Sequence, residues 1–280
     1  MHNSLHWGNK VKQSQVLSTI ITARRRRIEE LRAKLPVESL RQIAEARSDY
    51  RDFAGALSGE VLSVIAELKK ASPSRGLLRP EYRPLEIAES YQQAGASALS
   101  VLTEEDFFQG SIRDLKAVRG AVRLPILRKD FIVDEYQVYE SAAAGADALL
   151  LIVAALEDKD LKHFLALAAQ LRVAALVEVH TAGELERATA AGAQIIGINN
   201  RNLNTLEVSL ETSFRLREMI PPSCLAVSES GIRSGADLEK LAGAGFNAVL
   251  IGEHLMLAGD PGTELSRLLK SAPTLKMAGA

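Results

Sequence analysis

AGASALSVL at 94–102, AGADALLLI at 144–152 and AGAQIIGIN at 191–199 repeat one pattern, Ala-Gly-Ala followed by an apolar run, and AGFNAVLIG at 244–252 fits it loosely. Their glycines, Gly95, Gly145, Gly192 and Gly245, recur about every 50 residues. Each suits the left-handed conformation that ends a helix before a strand begins. Further apolar runs at LPILRKD, AALVEVH and LAVSESG fall between these landmarks, so each interval holds two strand and helix units, the βαβ rhythm. Strands are expected near 62–68, 97–103, 124–129, 147–153, 173–178, 194–199, 224–229 and 247–252, separated by helical segments such as PLEIAESYQQAG and LKHFLALAAQL. The strands are continuous aliphatic runs, as in a parallel sheet covered on both faces. The expected fold is therefore α/β, a (β/α)8 TIM barrel. An open doubly wound sheet would need a glycine-rich phosphate loop after its first strand, and ELKKASPSRG is not one.

Outside the repeat, 13–35 and 37–47 have helical spacing, with Pro36 at the start of the second helix. Residues 1–58 are expected to form a helical extension packed on the barrel, and 1–280 a single barrel domain. The run Arg24 to Arg27 lies in TARRRRIEELRAKL beside Glu29 and Glu30, so it reads as a solvated helix face. With 280 residues and 47% hydrophobic content, the chain can bury a large core. Its 34 basic and 35 acidic residues leave a net charge of −1, which gives no global field for nucleic acid or an anionic membrane. A lone cysteine, Cys224, excludes an intrachain disulfide and a cysteine zinc site, and fits a reducing cytoplasm. The longest apolar stretch, 142–156, is interrupted by Asp147 and is shorter than the roughly 20 residues that cross a bilayer. MHNSLHWGNK has no apolar run, so no secretory signal is expected.

A closed barrel fills its interior with aliphatic layers, so ionisable groups near strand ends belong at the open mouth. Alternation along the strands sends many there. Glu67 and Lys69 share a face at the end of the first strand; Lys129 shares one with Leu127 and Phe131, leaving Arg128 and Asp130 on the other. Glu178 is in register with Ala174 and Leu176, Asn199 and Arg201 with Gly197, and Glu229 with Val227. A single strand-end charge is commonly a surface ion pair. Five strands delivering polar groups to one rim is what a barrel active site requires.

Small residues in SESGI and VLIGEH, after the seventh and eighth strands, let backbone N–H groups approach an anion. Phe107 and Phe108 in FFQGS read equally as core or as the wall of an aromatic pocket. His163 lies in a predicted helix and His180 beyond a strand, without metal-ligand spacing, so both read as surface or supporting residues and no catalytic metal is expected. Cys224 begins its strand at the wrong end for a rim nucleophile.

The segments AELKKASPSRG, VLTEEDFFQGS, PILRKDFIVDEYQVYE, ALVEVH, IIGINNRNLNT, SESGI and LIGEHLM, in this order from Glu67 to Met256, resemble the indole-3-glycerol phosphate synthase family. The resemblance implies a lyase of tryptophan biosynthesis that converts 1-(2-carboxyphenylamino)-1-deoxyribulose 5-phosphate to indole-3-glycerol phosphate, carbon dioxide and water, with no cofactor. Carried over by motif, Lys129 is the general acid for ring closure and Glu178 the acid/base partner in dehydration. Lys69 meets the anionic substrate and is a candidate second acid, the division of acid roles between it and Lys129 staying open, and Glu67 and Asn199 orient the amine and hydroxyl groups. Ser72, Phe107, Phe108, Phe131, Arg201, Leu203 and Glu229 are expected to contact substrate, and Lys69, Ser230, Gly231, Gly252 and Glu253 its phosphate. Partial burial and neighbouring cations are expected to keep the lysine pKa useful. A small-molecule partner, a cytoplasmic location and a monomer or weak dimer follow as expectations. Two other readings stay open: a Schiff-base, aldolase-like phosphosugar lyase using Lys129, and a phosphate-ligand-binding barrel without turnover.

Overall fold

The computed structural model describes residues 16–203 and 205–271. MHNSLHWGNK and the expected helix start at 13–15 lie outside them. Eight parallel strands close into a barrel: β1 (Ser63–Leu68), β2 (Ala98–Leu102), β3 (Ile126–Lys129), β4 (Ala148–Ile152), β5 (Ala174–Val179), β6 (Ile195–Asn199), β7 (Leu225–Glu229) and β8 (Ala248–Ile251). β8 returns to pair with β1, Ala66 opposite Ile251, which excludes the open sheet. Each strand falls within two residues of its expected place.

The helices are α1 (Val16–Lys34), α2 (Val37–Ala46), α3 (Phe53–Leu57), α4 (Pro84–Ala94), α5 (Ile112–Ala121), α6 (Glu135–Ala143), α7 (Asp158–Gln170), α8 (Ala182–Ala190), α9 (Glu211–Arg217), α10 (Gly235–Gly243), α11 (Glu253–Leu257) and α12 (Pro261–Ser271). Local chemistry sets many of their ends. Ser111, Asp134, Thr181 and Ser234 cap α5, α6, α8 and α10 by accepting a main-chain N–H of the first turn. The repeat glycines all carry the positive φ expected of them, from 82° at Gly245 to 99° at Gly95. Ile65, Leu127, Leu150, Leu176, Val227 and Leu250 pack in the barrel interior; a second apolar cluster, including Leu99, Leu149, Val177 and Leu238, lies between the strands and the outer helices.

The extension differs from its sequence reading in two respects. First, a third helix, α3, puts Phe53 and Leu57 into the interior cluster with Ala98, Ala148 and Ala248, the first residues of their strands. Second, the arginine run is not simply solvated. Arg24 is 2% exposed and donates to Glu105 at 2.7 Å and to Asp130 at 3.0 Å; Arg27 donates to Asp106 at 2.8 Å. Their partners lie on the loops after β2 and β3, some 80 to 106 residues away in the chain, where no local spacing rule reaches them.

At the opposite end of the barrel, Asp147 at the start of β4 is fully buried and binds two guanidinium groups: Arg47 at 2.8 Å and Arg119 at 2.5 Å. It also accepts the main-chain N–H groups of Arg51 and Ile126, each at 3.0 Å. Removing that carboxylate strands two largely buried cations, a loss of about 3–5 kcal/mol. Asp147→Ala is expected to lower the unfolding free energy from urea titration accordingly, whereas Asp49→Ala, whose side chain is 67% exposed, should change it by less than about 1 kcal/mol.

Candidate active site

The C-terminal mouth of the barrel opens into a cavity of about 330 Å³, a size suited to a small ligand. Glu67, Lys69, Lys129, Glu178, Asn199, Arg201 and Glu229 line it together, delivered by β1, β3, β5, β6 and β7 or the residues just after them. Phe108, Phe131, Leu203, Ser230, Gly231, Gly252 and Glu253 line it too. Ser72 and Phe107 do not. Ser72 is buried in a short hairpin, Ala71–Ser72 against Gly76–Leu77, with its hydroxyl 3.4 Å from that of Ser74. Phe107 and Phe108 both pack against the interior cluster, but of the two Phe108 alone also forms cavity wall, its ring centroid 6.0 Å from that of Phe131. The Glu104 carboxylate fixes this loop by accepting the main-chain N–H groups of Asp106, Phe107 and Phe108.

At the centre, Lys129 Nζ lies 3.1 Å from Glu178 Oε2 and 3.6 Å from Glu229 Oε2. Burial disfavours its charge, but Glu178, Glu229 and Glu67 outweigh burial and raise its pKa above the usual lysine value. The expected neighbouring cations are not what governs it: the charges that set this group are carboxylates. Glu178 is opposed by burial, yet Lys129, His180 and the Asn199 amide lower its pKa and keep it ionised. Glu229 goes the other way. Burial first, then the facing Glu178, push its carboxyl to about 8. Among the described residues neither Glu229 oxygen has a hydrogen-bond partner, which suits a neutral carboxyl whose proton faces Glu178.

Two glycines make room for these acids. A methyl group on Gly197 in β6 would collide with Glu229 Oε1, and one on Gly252 would meet Glu67 Oε1, with Glu67 Cδ at 2.8 Å. Lys69 Nζ lies 2.8 Å from Glu67 Oε1. On the other side of the cavity Ser230 has φ 67°, an uncommon conformation for a side-chain-bearing residue, and Gly231 follows at 86°. Successive residues in such turns aim their N–H groups into a concavity that suits an anion. Arg201 spans the mouth, 2.9 Å from Glu253 and within 3.4 Å of the Ser74 hydroxyl.

Sequence reasoning missed several apolar cavity residues and four polar ones, among them His254 beside Glu253. Arg75, within ASPSRG, lies 3.3 Å from Glu253, and Arg233, two positions after Gly231, lines the anion side. Asp130 also lines the cavity while carrying the Arg24 and Arg128 contacts behind it. A count of cations around each small-residue turn would have found both arginines.

The Glu229 carboxyl ionises near 4.3 once unfolded and at about 8 when folded, so the folded state holds the extra proton between those values. Its contribution to stability is complete below about pH 4 and falls as pH rises toward 8. Glu229→Gln is therefore expected to leave the melting temperature unchanged at pH 4 and to raise it progressively from pH 5 to 8. A constant offset across that range would show that Glu229 is not neutral in the folded protein.

Comparison with known proteins identifies the fold and the family. The solved 3-hexulose-6-phosphate synthase from Salmonella typhimurium superposes with a TM-score of 0.62 at 13% identity, covering 75% of this chain and 98% of that one. Thiamine phosphate pyrophosphorylase from Pyrococcus furiosus does so at 0.58 and 18%, covering 80% and 99%. These likenesses establish the fold alone. In sequence, the chain is 49% identical over 259 residues to an indole-3-glycerol phosphate synthase from Polaromonas naphthalenivorans, covering 91% of this chain and 98% of the relative. It is 53% identical over 244 residues to the protein of the same name from Chloroherpeton thalassium, covering 86% and 94%. The indole-3-glycerol phosphate synthase family model matches residues 17–268, and the chain belongs to that family.

Proposed function

We propose that the mouth cavity closes the indole ring with Lys129 as general acid and Glu178 as the acid/base partner of dehydration. The activity is that of an indole-3-glycerol phosphate synthase, a carboxy-lyase of tryptophan biosynthesis acting on a small molecule. The reaction has three steps. The ring carbon bearing the carboxylate attacks the ketose carbonyl, whose oxygen takes a proton. Carbon dioxide then leaves and restores the aromatic ring. Finally the new hydroxyl departs as water while a proton leaves the adjacent carbon. Two protons reach oxygen and one leaves carbon, so each turnover takes up one, balancing the carboxylate lost as neutral carbon dioxide.

The observation that carries this reading is the Lys129 ammonium among Glu67, Glu178 and Glu229. It stays protonated at any working pH, and a developing alkoxide is basic enough to take its proton. A Schiff-base lysine needs a neutral amine, and this setting holds the amine charged, which speaks against the aldolase-like reading. Glu178 stays ionised beside it and serves as base in dehydration. Asn199 and Glu67 orient amine and hydroxyl groups, and Lys69 meets the anionic substrate carboxylate. The apolar ring seats against Phe108, Phe131 and Leu203.

Ser230, Gly231, Gly252 and Glu253 cradle the phosphate at the far end, with Arg233 beside them. Glu253 takes part through its main chain, because its carboxylate is held by Arg201 and Arg75. Anchoring there holds the flexible chain with its reacting carbons in contact. Residues 1–280 act as one barrel domain of which 1–58 is the extension, working in the cytoplasm as a monomer or weak dimer without nucleic acid or membrane. The near-neutral net charge and the single, buried Cys224 support that setting.

Lys129→Ala is expected to lower kcat by about 10²–10⁴-fold, read as the rate of indole fluorescence from the carboxyphenylamino sugar. Undiminished turnover would remove Lys129 from the acid role. Borohydride added with substrate should trap no adduct on Lys129; a stable adduct would establish the Schiff-base route instead.

A further inference from the structure

His180 follows β5 by one residue and Glu178 by two, so alternation turns it toward the side Glu178 faces. Its side chain is only 11% exposed, with Nε2 3.5 Å from Glu178 Oε1 and Nδ1 3.2 Å from Glu184 Oε2 in α8. The same Glu184 oxygen accepts the His180 main-chain N–H at 2.8 Å, which fixes where the ring stands. Nε2 is buried and, among the described residues, has no hydrogen-bond partner besides this approach to Glu178.

Both ring nitrogens therefore face carboxylate oxygens. A neutral imidazole carries a proton on one nitrogen and a lone pair on the other. Either tautomer would aim a lone pair at a carboxylate in a site with little water to screen it. Only the doubly protonated ring gives each acid a donor.

We propose that His180, held by Glu184, is a positioning residue for Glu178: its imidazolium binds the carboxylate oxygen that Lys129 does not, and so decides that Glu229 rather than Glu178 keeps the proton these two facing acids share. Glu178 Oε2 belongs to Lys129, Oε1 to His180, and the Asn199 amide completes the set. Glu229 has Lys129 at 3.6 Å and, among the described residues, no second cation within ion-pair distance. The charged groups facing the ring are Glu178 from β5, Glu184 from α8 and, more distantly, Lys129 from β3. Burial and Lys129 oppose the ring's charge, and the two glutamates prevail, so His180 titrates above the ordinary histidine value. This inference rests on Glu178 being the base of dehydration.

The first test is direct: the protein labelled with ¹⁵N-histidine should show both His180 nitrogens protonated at pH 7.5, and a neutral tautomer there would overturn the proposal. The second is kinetic. In His180→Asn the proton is shared back onto Glu178, so kcat at pH 7 should fall about 10-fold and its acid limb move upward by about one pH unit, with KM within twofold. The deficit should narrow by pH 9, where neither acid holds the proton. Glu184→Gln, which keeps the shape and removes the charge, should shift the limb in the same direction by less. A uniformly lowered profile with an unmoved limb, or kcat within twofold at pH 7, would refute the role. Glu178→Gln is the control for the underlying assignment: full turnover in that variant would show that Glu178 is not the base, whatever His180 does.

Discussion

An ammonium group held among three carboxylates at the end of an aliphatic cylinder is the constraint around which the rest is arranged. Burying four ionisable groups together is costly unless their charges nearly cancel and their polar atoms find partners. One proton retained on Glu229 brings the group near balance: Lys129 and Lys69 against Glu67 and Glu178. The barrel geometry makes the arrangement feasible, because parallel strands bring their last inward-facing residues to one rim while Ile65, Leu127, Leu176 and Val227 fill the layer beneath.

Behind that rim lies a second polar system that supports the first. Arg128, on the opposite face of β3 from Lys129, is 1% exposed and donates to Asp130, Glu140 and the Thr103 hydroxyl. Asp130 also receives Arg24 from α1 and holds the main-chain N–H of Phe131 at 2.8 Å. The helical extension thus reaches, through one arginine, the turn that carries both the central lysine and an aromatic wall of the cavity. Two hydrogen bonds, both to Asp130, join Arg24 of α1 to the main chain of Phe131.

Much of this was legible in the sequence because two simple periodicities govern it. The recurring Ala-Gly-Ala placed the strands, and the two-residue alternation aimed Lys129, Glu178, Asn199 and Glu229 inward. What escaped has particular causes. Arg24 was read as solvated since Glu29 and Glu30 are its chain neighbours, whereas its partners come from two distant loops. Phe107 and Phe108 are adjacent and chemically identical, so only the turn fixed by Glu104 decides which one faces the cavity. The same alternation that turned Glu178 inward applied to His180; the absence of metal spacing drew attention from it, and the reach of Glu184 back across one helical turn is what gives that ring its purpose.

The empty positions beside the acids have a consequence for anyone who would transplant this mouth. Gly197 and Glu229 stand on adjoining strands, Gly252 comes directly after β8 beside Glu67 of the adjoining β1, and each acid occupies the volume where its neighbour's first side-chain carbon would be. The heritable unit is thus a couple spanning two strands. A recipient scaffold given the glutamates but retaining alanine opposite them would inherit the letters of the site without the vacancy that lets them be read.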